Sequence, residues 1–310
     1  MRFQPAGGHR ERPDTSTAPS IRLAYLMMLG SSLAFAAMSA CSHAAGERCD
    51  WRLPALARAA LVLLFTAALA KARRVQLTIV GTRILWIRSI TGSVSMLLTF
   101  YALTHLPVAT AVTLTNTFPL WVTLLAWPVM RQRPTAGVLV ALASGIVGVY
   151  LIEQPQGADS RLACSCALAA AFCTAVVMIG LHRLRHFDPL VIVVHFSAVA
   201  TGIIGAFILW TAATREGVDL APLADAETIA LLVGIGLLGA TGQILMTAAF
   251  RVAMPQRLSV IGLSQVLFAL GFELLFWPAK EGIDRGYQLL GMALVMAPVG
   301  WLLTRRGRGP

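Results

Sequence analysis

FYALTHLPVATAVTLTNTFPLWVTLLAWPVMRQRP, residues 100–134, is the stretch that decides the fold. A helix end (FYAL) meets a short polar break at Thr104 and His105. A long apolar segment follows, with Thr113, Asn116, Thr117 and Pro119 near its middle, and it stops at Arg131 and Arg133. An apolar helix with an amide and a proline at mid-length needs a special setting. In hydrocarbon each unpaired polar group costs several kcal/mol, so such groups face protein or water.

The rest of the chain has the same character. It has 310 residues, 57% hydrophobic and only 13% charged, where soluble domains carry roughly 25% charged residues. The apolar residues come in blocks of about 17–24, the length that crosses a bilayer core. The expected fold class is an all-α polytopic membrane protein with ten transmembrane helices. The expected spans are 21–43, 54–70, 84–104, 107–130, 135–152, 162–181, 189–213, 228–250, 257–278 and 286–304. Residues 1–20, rich in Pro, Gly, Ser, Thr and Arg, read as a disordered tail. The block from Leu23 to Cys41 exceeds a signal-peptide core in length and is kept as a helix.

Loop charges give an orientation. With the N-terminal end inside, the inner segments hold about 17 Lys and Arg and the outer loops about 6, which places both termini in the cytoplasm and the protein in the inner membrane. The net charge of +11 is thereby a matter of topology and not of nucleic-acid binding. Cys164, Cys166 and Cys173 lie in one apolar block as small hydrophobes, and Cys41 and Cys49 flank an outer loop where they could pair.

The opening stretch has a second, weaker copy at residues 239–281. Gly92 pairs with Gly239 and Ala102 with Ala249, each 147 residues apart. The halves are expected at 21–152 and 162–304, joined by a linker at 153–161, with a cytoplasmic tail at 305–310. Five helices in each half force opposite membrane orientations. Inverted repeats of this kind build transporters with a site at the midplane.

Several residues could line such a site. Arg88, Thr91, Gly92, Ser95, Thr99 and Ala102 fall within about 60° of one line on the third helix. That stripe is either a packing seam or a cavity wall. Arg88 either snorkels to the inner surface or faces the cavity and holds a carboxylate. Pro119 removes a helical N–H and makes a kink, or hinge, in the fourth helix. Thr113, Asn116, Thr117 and Trp121 are read as sharing its polar face. In the second half Gln243 and Gln265 are amides that need partners. Glu273 and His195 are the candidates for coupling to a proton, with rim and packing roles as their structural alternatives. The repeat mates of Arg88 and Glu273 are the apolar Ile235 and Ala126, so neither charge is required by the architecture. Arg58, near the outer end of its helix, is expected to snorkel. No GxxxxGK[ST], HExxH, GxSxG or TVGYG occurs, nor an arginine series of voltage-sensor type. The expectation is therefore no enzyme, no cofactor and no metal.

Arg88, FYAL at 100–103, LPVATAV at 106–112, NTFPL at 116–120 and GVYLI at 148–152 resemble the first half of the drug/metabolite transporter superfamily, EamA type. GQILMTAAFRVA at 242–253 resembles the corresponding region of the second half. The resemblance runs over residues 21–304. It implies ten helices in two inverted five-helix repeats around a central cavity, and secondary transport of metabolites. Arg88, Tyr101, Asn116, Thr117 and Pro119 match patterned positions. Many members carry a Glu just after the fourth and ninth helices. Here the first is Gln132, while Glu281 stands for the second.

The reading is a secondary transporter of a small polar metabolite, such as an amino acid or derivative, with export as the leading direction. The expected substrate-binding set is Arg88, Ser95, Tyr101, Thr113, Asn116, Thr117, Trp121, Gln243 and Gln265. An uptake permease for a nucleoside-derived metabolite, or a channel-like or non-transporting scaffold, are the alternatives. The expected partners are a metabolite, the lipid bilayer and a proton or other ion gradient, with no nucleic acid. The protein would work as a monomer or homodimer.

Overall fold

The structure, a computed structural model, describes residues 21–77, 82–130, 158–184, 187–214, 217–252, 261–277 and 285–306, together with 140, 143, 144, 147, 148, 151 and 258. The described residues are helices and connecting turns. In order they form α1 (Ile21–Gly46), α2 (Arg52–Ala72), α3 (Arg83–His105), α4 (Val108–Thr115), α5 (Phe118–Met130), α6 (Ala158–Arg183), α7 (Pro189–Ala213), α8 (Ala226–Val252), α9 (Ser264–Phe276) and α10 (Arg285–Arg306). A one-turn 3₁₀ helix at Ala221–Ala224 precedes α8. Six of the helices are long and apolar enough to cross a membrane: α1, α2, α3, α6, α7 and α8. The expected fifth span, 135–152, and Gln132 and Glu281 fall largely or wholly outside the described residues.

Local chemistry sets the helix ends. Asp188 caps α7 by accepting from the backbone N–H of Leu190 at 2.8 Å, and Pro189 occupies the first turn, where its missing N–H costs nothing. Leu106 is extended (φ −124°, ψ 156°) because Pro107 follows it. At the end of α3, the Thr104 hydroxyl donates to the carbonyls of Phe100 and Tyr101, and the His105 ring bonds the carbonyl of Tyr101 at 2.8 Å. These side chains add second hydrogen bonds to carbonyls of the last full turn.

The fourth expected span is two helices. α4 ends at Thr115, and Asn116 and Thr117 form a turn before α5 begins at Phe118. Asn116 is bonded to the Val112 carbonyl twice, through its backbone N–H (3.0 Å) and through Nδ2 (2.8 Å). Thr117 Oγ1 donates to the Leu114 carbonyl at 2.7 Å. Pro119 lies in the first turn of α5, a position that tolerates proline.

Packing follows a paired scheme. α1 lies along α8 and α6 along α3; α2 meets α8 and α7 meets α3; α1 meets α9 and α6 meets α4 and α5. Each pairing has a mate in which the two halves exchange roles, as inverted repeats require. Hydroxyl bonds pin two mated seams. Ser31 Oγ donates to the Gly242 carbonyl at 2.8 Å, joining α1 to α8. Ser95 Oγ donates to the Ala170 carbonyl at 2.9 Å, joining α3 to α6. Ser95 and Gly242 stand 147 residues apart, the repeat offset. Small residues permit these close approaches, and hydroxyl bonds are suited to a setting without water.

Large apolar side chains point outward along the bundle, among them Leu64, Leu209, Trp210, Leu267 and Leu275. Exposed apolar surface on this scale fits a lipid-facing wall. Around the α1–α2 turn, Arg48 pairs with Asp225 (3.5 Å) and Glu227 (2.7 Å), and Arg52 pairs with Asp50 (2.8 Å) and bonds Thr211 (2.6 Å). Cys41 and Cys49 are unpaired.

Candidate functional site

The helices enclose a cavity of about 240 Å³ between the two halves. α1, α2 and α3 contribute one part of its wall, α4 and the start of α5 another, and α6, α7, α8 and the start of α9 the rest. Its surface is mainly apolar, with Phe35, Met38, Met96, Phe100, Val112 and Met246 facing the space. Asn116, Gln243 and Gln265 bring amides to it, and Arg58 and Arg88 bring charge.

α3 delivers most of one wall. Arg88, Gly92, Ser95 and Thr99 of the sequence stripe all face the cavity, while Ala102 is fully buried beyond it. Ser95 is also within 2.9 Å of Thr174 Oγ1 on α6, so the stripe is both a seam and a wall. Arg88 does not snorkel: it is 5% exposed, with its guanidinium 5.0 Å from the ring centre of Phe196. That is the geometry of a cation–π contact. Its Nη1 lies 3.5 Å from the Ile192 carbonyl, at the limit of a hydrogen bond. Gly92 makes this arrangement possible, since a Cβ there would stand 2.9 Å from the Phe196 ring.

The expected set divides. Arg88, Ser95, Asn116, Gln243 and Gln265 come together at the cavity. Tyr101, Thr113, Thr117 and Trp121 are not on its wall. Tyr101 lies edge-on to Trp51 (centroids 5.4 Å apart) and stacks on His105 (4.1 Å), near the C-terminal end of α3. Thr113 is fully buried, off the cavity. Thr117 is taken up by its own turn, and Trp121 packs edge-on against Phe172 of α6 at 5.6 Å. Thr113 lies before the helix break, on a different face of α4 from Thr115 and Asn116, and the break accounts for Thr117 and Trp121. A continuous helix would put 113, 116, 117 and 121 on one face, but the turn at Asn116–Thr117 resets the rotation. Thr115, Asn116 and Phe118 face the cavity instead.

The two coupling candidates also lie off the wall. The Glu273 carboxylate accepts from the backbone N–H of Ala109 at 2.7 Å, at the start of α4. His195 Nδ1 is 2.9 Å from Ser89 Oγ, and its ring lies edge-on to Trp86 at 4.8 Å. Among the described residues no group of three His, Cys, Asp or Glu could hold a metal ion.

Arg58 is the residue that sequence reasoning placed elsewhere. It is 5% exposed, faces the cavity and does not reach a surface. Its Nη2 donates to Gln243 Oε1 at 3.2 Å. Gly239 is its cradle: a Cβ there would stand 2.6 Å from Arg58 Cδ and 2.7 Å from Nε. The repeat-related glycines, 92 and 239, thus each make room for one arginine's setting. The only sequence signal pointing to this was the Gly239 and Gln243 pair, one turn apart on the same face of α8.

Comparisons with known proteins agree with this architecture. Residues 22–154 match the EamA-like transporter family. The chain is 26% identical over 253 residues to the pseudopaline exporter CntI of Pseudomonas aeruginosa strain UCBPP-PA14, covering 81% of this chain and 85% of that protein. It is 28% identical over 192 residues to a riboflavin transporter of Brucella anthropi, covering 57% of this chain and 65% of the relative. Solute carrier family 35 member G1 of Homo sapiens is 24% identical over 212 residues, covering 64% and 56%. A crystal structure of a protein with 17% sequence identity superposes with a TM-score of 0.64 over 93% of this chain and 100% of its own, which shows the shared fold. Residues 22–154 thus carry an EamA-like transporter domain, and over most of its length the chain is similar to transporters of that kind.

Proposed function

We propose that the protein is a secondary transporter that moves a small polar metabolite across the inner membrane, with export as the leading direction. The observation that carries this is the cavity of about 240 Å³, walled by both halves and furnished with Asn116, Gln243, Gln265 and two arginines. An apolar chamber with a few convergent polar groups is the usual form of a small-molecule site. Rocking the halves about it would expose it to each side in turn, the scheme inverted repeats use. Named relatives support transport and differ in cargo: one is a pseudopaline exporter and one a riboflavin transporter. The excess of Lys and Arg in the proposed inner loops supports cytoplasmic termini.

The test is flux in proteoliposomes and in membrane vesicles of known orientation, with a metabolite panel and imposed proton or ion gradients. Gradient-dependent movement of at least one metabolite is expected, outward in the cellular sense. Movement only inward would favour the uptake reading. No flux of any panel member under any gradient would favour a scaffold.

A further inference from the structure

Two cations of the cavity lack counter-ions among the described residues. Arg58 and Arg88 are each 5% exposed, and both face the same space. Arg58 Nη1 and Arg88 Nε have no hydrogen-bond partner. The ion pairs among the described residues involve Arg48 and Arg52, around the α1–α2 turn, and neither cavity arginine. A buried charge is tolerated when it is paired and hydrogen-bonded. The partners supplied by the chain are weaker than that: one amide oxygen for Arg58, and a ring face with a distant carbonyl for Arg88. Both guanidiniums are held in place beside the cavity with donors and charge that the described residues do not match, which leaves an anion in the cavity to balance them.

The arginines come from different walls. Arg58 extends from α2 past Gly239 of α8, and Arg88 from α3 beside Phe196 of α7. Phe35, Met96, Phe100 and Met246 line the same cavity and suit hydrocarbon. A guanidinium fork matches a carboxylate in two parallel bonds. The volume corresponds to about eight waters, so the guest is small. We infer that the cavity takes a small organic dianion of the aliphatic dicarboxylate class, one carboxylate on Arg58 with Gln243 and the other on Arg88. This names a substrate class for the transporter reading above and rests on it.

The experiment is thermal stabilisation of the purified full chain in nanodiscs, titrated with succinate, glutarate and adipate. Butyrate, putrescine and sulfate serve as a monoanion, a dication and a compact inorganic dianion. Ligand that binds the folded state raises Tm with concentration. At least one dicarboxylate is expected to bind ten times tighter than butyrate, putrescine or sulfate. Arg58→Gln and Arg88→Gln are each expected to bring that dicarboxylate down to butyrate's affinity, while Arg58→Lys and Arg88→Lys keep part of the preference. No dicarboxylate preference, a preference that survives both Gln substitutions, or sulfate binding as tightly would overturn the assignment. Proteoliposome flux separates the two readings. A neutral or cationic metabolite carried equally by wild type and both Gln variants defeats the dianion assignment and leaves the transporter standing. Dicarboxylate binding without flux of any solute supports the site and defeats the transporter.

Discussion

Arg58 Cδ lies 2.6 Å from the point where a Cβ on Gly239 would stand. The guanidinium reaches Gln243 only because position 239 has no side chain. Gly239→Ala should therefore displace Arg58 and break its bond to Gln243. A stability loss of about 1 kcal/mol is expected, at the low end for overpacking, because the arginine side chain can move. Flux should fall at least tenfold. Gly202→Ala on α7 is the control, since nothing lies within 4 Å of its added methyl. It should be neutral or stabilising by about 0.5–1 kcal/mol, with flux unchanged.

Asn116 lies at the helix break with its amide bonded to the Val112 carbonyl. Asn116→Ala removes that bond and the amide's face toward the cavity. A net hydrogen bond contributes about 0.5–1.5 kcal/mol. Tm should drop by a few degrees, and KM should rise by about two- to tenfold. An unchanged KM with the same Tm loss would confine Asn116 to the turn.

Glu273 holds the first turn of α4 through the Ala109 N–H. A carboxylate there satisfies a free donor and complements the helix dipole. Glu273→Gln keeps an acceptor oxygen and should keep stability within about 0.5 kcal/mol of wild type. Glu273→Ala should cost about 0.5–2 kcal/mol, the range for losing a cap. Denaturation of both variants in the same detergent checks this. A pH profile of flux altered in Glu273→Gln at full stability would instead assign it to proton coupling.

At the α1–α2 turn, burial raises the Asp50 carboxyl, but the hydrogen bonds and charge of Arg52 outweigh it. The carboxyl therefore sits below its usual value. A depressed carboxyl stabilises the fold above its unfolded value, near pH 4, and loses that contribution as pH falls through the lower folded value. Asp50→Asn should lower Tm at neutral pH and flatten the decline of Tm below about pH 4. A decline as steep as in wild type would refute this account of the turn.

The six long apolar helices among the described residues were legible because hydrocarbon imposes length and apolarity on each block, and a single sequence displays both. The small stripe of α3 was legible for a related reason. Gly92, Ser95 and Thr99 have a helical period that one helix can show alone. The break at Asn116–Thr117 was harder to read. Pro119 marked a kink, but the chain places the turn ahead of the proline, and this moved Thr117 and Trp121 off the cavity. Arg58 was harder still. An arginine one or two turns from a helix end has a general explanation in snorkelling, and its own helix says nothing about what it meets. The deciding residues, Gly239 and Gln243, are on α8, about 180 residues away. Only the packing of the halves brings them together.

The central claim is that the cavity between the halves is the transport site, and Arg88 tests it most directly. An arginine there has no carboxylate partner among the described residues. Replacing an unpaired buried charge should not weaken the fold and can strengthen it. Function would then be the only loss, as at many sites built at the expense of stability. Tm and flux should be measured on one preparation of Arg88→Gln in proteoliposomes, using a metabolite the wild type carries. The expected result is a Tm equal to or above wild type with flux reduced at least tenfold. Flux within twofold of wild type at an unchanged Tm would contradict the account.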